Sequence, residues 1–94
     1  MKIMNAEEIL CHKRRKIDCI DAHMVRLLEK RFKLATDLKI LKGKITDTKR
    51  ESEVLVSVQK NVKETKFAKA IVVIFADIIR QSKKIQRSNA NLPK

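Results

Sequence analysis

The sequence holds one glycine, one proline and three phenylalanines in 94 residues, and neither tryptophan nor tyrosine. A sheet protein needs turn residues between strands and aromatic or β-branched residues alternating within them. Their scarcity argues against that class and leaves helices. No apolar run approaches the ~20 residues of a membrane span. The first residues, MKIMNAEEIL, lack the ~7–15-residue apolar core of a signal peptide. A cytoplasmic location is therefore expected. Cys11 and Cys19 fall on one expected helix, too far apart to bridge while it stays helical. They are expected to be free thiols in a reducing compartment.

What is present sets the rest. A hydrophobic content of 44% is too high for a chain disordered by composition. The length fits one small domain with a modest core, a size that often needs a staple or a partner. Lys and Arg number 23 against 11 Asp and Glu, a formal charge of +12. That balance favours an anionic partner: nucleic acid, an anionic membrane or a small acidic molecule.

Three helical segments account for nearly the whole chain. The first is expected over residues 6–42, with Asn5 as N-cap and Glu8 as its capping-box partner. Its stripe is Leu10, Ile17, Ile20, Met24, Leu27, Arg31, Leu34, Leu38 and Leu41, a seven-residue repeat broken by Lys13 and Arg31. Gly43 follows as the expected C-terminal cap. After the turn GKITD, Thr48 with Glu51 forms a second capping box, opening a helix over residues 49–62 whose face is Glu51, Leu55, Val58 and Val62. A turn in NVKETK, with Thr65 as cap, leads to a third helix over residues 66–87, apolar nearly all round from Ala68 to Ile79. Residues 88–94 are expected to be a frayed tail. A 37-residue helix is roughly 55 Å long, against about 30 Å for a compact domain of this size. The remaining residues cannot cover it. A second copy of itself can, so an intertwined homodimer is expected.

Polar groups interrupt the apolar faces of all three helices. Arg31 lies in the first seam, Lys42 on its flank, Glu51 on the second face, and Ser82 and Gln86 continue the stripe Ala68, Ile71, Phe75, Ile79 of the third. A buried arginine without a counter-charge is very costly, so Arg31 should face an anion. Arg31 and Lys42 are ~16 Å apart along the helix, within reach of one small molecule through two long side chains. Arg14 is ~26 Å from Arg31, too far to join them within one straight helix. If two copies run antiparallel and cross near residue 24, Arg14 of one lies opposite position 34 of the other, between Arg31 and Lys42. Two equivalent sites result, each with a cation from the partner.

These residues carry a family resemblance. From about Ile9 to Gln86 the chain resembles the all-helical chorismate mutases of the intertwined dimeric type. The matching pieces are R-x-x-I-D-x-x-D from Arg14 to Asp21, L-L-x-x-R-x-x-L-A from Leu27 to Ala35, the lysine seven residues on (Lys42), I-x-D-x-x-R-E from Ile45 to Glu51, and I-I-x-x-S-x-x-x-Q from Ile78 to Gln86. The resemblance implies rearrangement of chorismate to prephenate, a unimolecular pericyclic shift that needs no nucleophile, metal, cofactor or proton transfer. Catalysis would consist of holding the dianion in a compact chair-like shape and stabilising charge on the breaking ether oxygen. Carried over, Arg31 clamps one carboxylate and Arg14 of the partner subunit the other. Lys42 and Gln86 donate to the ether oxygen. Glu51 takes the ring hydroxyl, with Asp47 helping through its backbone, and Arg50 and Ser82 line the pocket. Four residues separate Lys42 from Asp47, fewer than the family usually carries in that loop. With no dehydrogenase or dehydratase domain in the sequence, a stand-alone mutase is expected.

Plainer readings compete for each residue. Arg31 can snorkel or fix dimer register, Arg14 sits in the basic run HKRRK, Glu51 serves a cap, and Ser82 and Gln86 can mark a helix emerging into water. Asp47 can be a turn residue and Arg50 a solvated charge. His12, Cys19 and His23 share one side of the first helix but match no zinc-ligand spacing. The main rival function is a basic helical nucleic-acid-binding dimer, which explains +12 directly. It does not explain polar residues on three apolar faces, and the phenylalanines are not interleaved with basic residues for base stacking.

Overall fold

The computed structural model describes residues 3–43 and 46–91; the side chains of Lys42 and of residues 89–91 lie outside the description. Three α-helices and one 3₁₀ turn follow in order: α1 (Ala6–Lys42), α2 (Thr48–Asn61), the turn Thr65–Phe67, and α3 (Ala68–Asn91). Among the described residues there is no strand. The chain divides into two units, Met1–Arg31 and Phe32–Lys94, with the boundary inside α1.

In the first unit α1 starts where a cap allows it to. Asn5 Oδ1 accepts from the Glu8 backbone N–H at 2.8 Å, which satisfies one of the orphan donors of the first turn. Glu7 and Glu8 add negative charge at the helix's positive end. Among the described residues of this unit no apolar side chain is buried: Ile17 is 55% and Ile20 58% exposed.

In the second unit α1 ends at its glycine. Gly43 has φ +72°, and its N–H donates to the Lys39 carbonyl at 2.8 Å. That is the left-handed C-cap, in which one bond to the carbonyl four residues back closes the last turn. The helical face that is half-buried here is Phe32, Ala35, Thr36 and Lys39. Leu34 and Leu38, which belong to the long stripe, remain 64% and 52% exposed. The two faces are centred roughly 120° apart around the helix. Contacts within this unit thus leave Leu34 and Leu38 open.

Asp47, rather than Thr48, caps α2. Its carboxylate accepts from the Arg50 N–H at 3.1 Å, while Glu51 reaches back to the Asp47 N–H at 3.3 Å. Both residues can cap, but the Glu51 side chain closes the reciprocal bond from one position further in, so the helix starts at Thr48. The helix stops at Asn61 because Val62 turns extended, with φ −71° and ψ 123°. The expected cap at Thr65 is instead the first residue of the 3₁₀ turn, and α3 begins at Ala68. α3 continues to Asn91, past the end expected at Arg87. Ser88–Asn91 contain neither Gly nor Pro to stop it, so that part of the expected tail is helical; residues 92–94 lie outside the described residues.

α2 and α3 pack on each other, and Val54, Leu55 and Val58 of α2 and Ile71, Phe75, Ile78 and Ile79 of α3 are half-buried. α3 is not buried all round: Val73 is 61% and Ile74 51% exposed. Among the described residues no apolar side chain is buried, and the two side chains that are, Ser82 and Gln86, are polar.

Candidate active site

Burial of Ser82 and Gln86 calls for partners, because a polar group removed from water without a hydrogen bond costs more than most contacts gain. Gln86 has one. Its Nε2 donates to the Ala35 carbonyl at 2.6 Å, joining the last turns of α3 to α1. The bond assigns the amide's orientation, since a flipped amide would set two oxygens against each other. One N–H of the amide is then committed and the second remains to be donated elsewhere. Ser82, four residues earlier, is 7% exposed on the same side of α3.

The first turn of α2 contributes the acidic side. Glu51 and Asp47 are half-buried and Arg50 is exposed. The backbone of Asp47 is engaged twice by Glu51: its N–H donates to Glu51 Oε2 at 3.3 Å, and its carbonyl accepts from the Glu51 N–H at 2.9 Å. The other oxygen, Glu51 Oε1, lies 2.8 Å from Lys83 Nζ on α3. Arg50 points along its own helix, 3.7 Å from Glu53. Asp47 and Glu51 on α2 and Ser82, Lys83 and Gln86 on α3 therefore assemble one polar corner, with Ala35 as its anchor on α1.

Lys83 was not among the residues read from the sequence as part of a site. It occupies an unspecified position of I-I-x-x-S-x-x-x-Q. The signal was present nonetheless: a glutamate on an apolar helix face needs a cation opposite it, just as Arg31 in its seam needs an anion.

Lys42 is the last residue of α1, and its side chain lies outside the described residues, as does Ile45 at the head of I-x-D-x-x-R-E. In the first unit, Arg14 is exposed and Arg31 half-buried. Among the described residues no three of His, Cys, Asp and Glu converge as metal ligands, and no helix is long and apolar enough to cross a membrane. Cys11 and Cys19 are free and exposed.

The family model for type II chorismate mutases matches residues 13–87. The chain belongs to that family. As a chorismate mutase it is an isomerase of aromatic amino acid biosynthesis, converting chorismate to prephenate. The matched segment opens one residue before Arg14 and closes one residue after Gln86, so it spans every residue of the polar corner. Neither the curated proteins nor the solved structures contain a match to the chain.

Proposed function

We propose that this chorismate mutase works as an intertwined antiparallel homodimer, with two sites each completed by Arg14 of the partner subunit. In each site Arg31 clamps one substrate carboxylate and the partner subunit's Arg14 the other. Lys42 and the second N–H of Gln86 donate to the ether oxygen as its bond to the ring breaks and negative charge gathers there. Glu51 accepts the ring hydroxyl, Asp47 holds Glu51, and Arg50 and Ser82 line the pocket. Nothing in this set exchanges a proton or forms a bond with substrate. Its effect is to select the compact conformer and to stabilise the transition state more than the ground state.

The inversion of burial carries this reading. Among the described residues the buried side chains, Ser82 and Gln86, are polar, while the apolar residues of the stripe from Leu10 to Leu41 are exposed. A helix face this apolar is normally covered, and within the second unit the half-buried face of α1 is a different one. A second copy crossing near Met24 would cover it. The buried polar groups, in turn, make sense as donors to a bound molecule. A cytoplasmic setting fits the two unpaired thiols. No feature of the described residues favours the nucleic-acid reading.

The test is turnover by the purified chain, followed as loss of chorismate absorbance. Lys42→Ala should reduce kcat by roughly 10²–10³-fold, the effect of removing one preorganised donor to a developing oxyanion. Wild-type turnover in the Lys42→Ala variant, with helix content intact, would remove Lys42 from the mechanism.

A further inference from the structure

Lys83 is half-buried, with its side chain 23% exposed, and it spans from α3 to Glu51 of α2 at 2.8 Å. Two other ion pairs, Arg50–Glu53 and Asp77–Arg80, each join residues three apart on one exposed helix surface and are worth little. The Lys83 pair differs in linking two helices at the polar corner, next to buried Ser82 and one turn from buried Gln86. Its carboxylate partner is gripped from two directions, by Lys83 on Oε1 and by the Asp47 N–H on Oε2. A carboxylate on a flexible side chain held at both oxygens has its plane fixed. A carboxylate offers about four acceptor sites, so two such bonds leave capacity for a further donor.

We propose that Lys83 is a positioning residue for the reaction: through its ion pair it fixes the Glu51 carboxylate in the orientation that accepts the substrate's ring hydroxyl. This rests on the reading that Glu51 takes that hydroxyl. Lys83 does not touch the reacting bond. Its contribution is to binding that is equal in ground and transition states, which changes KM and leaves kcat nearly alone.

The experiment measures kcat and KM for wild type, Lys83→Met, Lys83→Arg, Glu51→Gln and the Lys83→Met/Glu51→Gln double variant. Each is assayed with chorismate and with the analogue carrying hydrogen in place of the ring hydroxyl, and helix content is recorded by circular dichroism. With chorismate, Lys83→Met should raise KM roughly five- to tenfold, as loss of a partly buried charge-assisted bond does. Lys83→Arg should recover most of that loss. With the deoxy analogue, or in the Glu51→Gln background, Lys83→Met should change KM less than about twofold, because the interaction it supports is already gone. Should Lys83→Met lose helix content, Lys83→Gln, which keeps a donor without the charge, takes its place. A lowered melting temperature with unchanged KM would make Lys83 a structural tie and overturn the proposal. An equal loss with chorismate and the deoxy analogue would overturn it too, by moving Lys83 to another part of the substrate. If Glu51→Gln raises KM equally for chorismate and for the deoxy analogue, the Glu51 assignment falls and the role of Lys83 with it, a pattern distinct from failure of Lys83→Met alone.

Discussion

Replacing Gln86 by glutamate, which has nearly the same shape, separates hydrogen-bond donation from packing. In the native protein the Gln86 amide gives one N–H to the Ala35 carbonyl at 2.6 Å, and under the proposed mechanism it offers the second to the ether oxygen. An ionised carboxylate at that place has no proton for either acceptor and sets its own oxygen against a carbonyl. Gln86→Glu should therefore lose roughly 10²–10³-fold in kcat at pH 7.5. Protonation returns one O–H donor, so the variant should recover about tenfold or more between pH 7.5 and pH 5. The stability sign follows from the same contact. The folded state favours the neutral acid, so the introduced carboxyl's pKa is higher folded than unfolded. The cost relative to wild type is absent below about pH 4, grows as pH rises through the ordinary glutamate range, and levels off above the folded-state pKa. Steady-state rates at several pH values, divided by the wild-type rate at each, give the first quantity; thermal melts at the same values give the second. Gln86→Ala is the control, with a loss independent of pH. If Gln86→Glu showed one constant deficit from pH 5 to pH 7.5, donation by Gln86 would be refuted.

Other expectations follow from the same structure. Gly43→Ala should cost about 1–2 kcal/mol and several degrees of melting temperature: φ is +72° while a Cβ there meets nothing within 4 Å, so the penalty is backbone strain alone. Gly43→Asn should recover part of it, since asparagine tolerates the left-handed region; equal stability of Gly43→Ala and wild type would contradict the cap. Met24, 48% exposed, would meet its own copy at the crossing point, so Met24→Asp should weaken dimerisation roughly 100-fold through loss of two half-buried side chains of about 1–1.5 kcal/mol each. Sedimentation of an unchanged dimer would place the crossing elsewhere.

Much of this architecture was legible because its signals are local. Asn5 with Glu8, and Gly43 just after the end of the seven-residue stripe, fix both ends of α1 through groups within four residues of each end. The start of α2 was displaced by one residue because Asp47 and Thr48 are both competent caps, and the choice depends on where the Glu51 side chain folds back. The junction before α3 has no Gly or Pro to mark it, and the backbone breaks at Val62 instead. Ser82 and Gln86 stood out because they continue an apolar stripe with polar groups. Lys83 did not, because its importance comes from reaching across to another helix, and no spacing along one helix records that. The exposure of Val73 and Ile74 was hidden for a similar reason: an apolar residue does not announce which neighbour, if any, will cover it.

The most direct test of the account mixes two damaged chains. Arg14→Ala and Lys42→Ala should each be nearly inactive alone. If each site draws Arg14 from one subunit and Lys42 from the other, a heterodimer of the two variants has one site carrying both defects and one carrying neither. Unfolding and refolding an equal mixture should then restore about a quarter of wild-type activity, from half the dimers having one of two sites intact. Activity no greater than the sum of the separate variants would mean that Arg14 and Lys42 do not meet across a shared interface, and the antiparallel dimer would have to be abandoned.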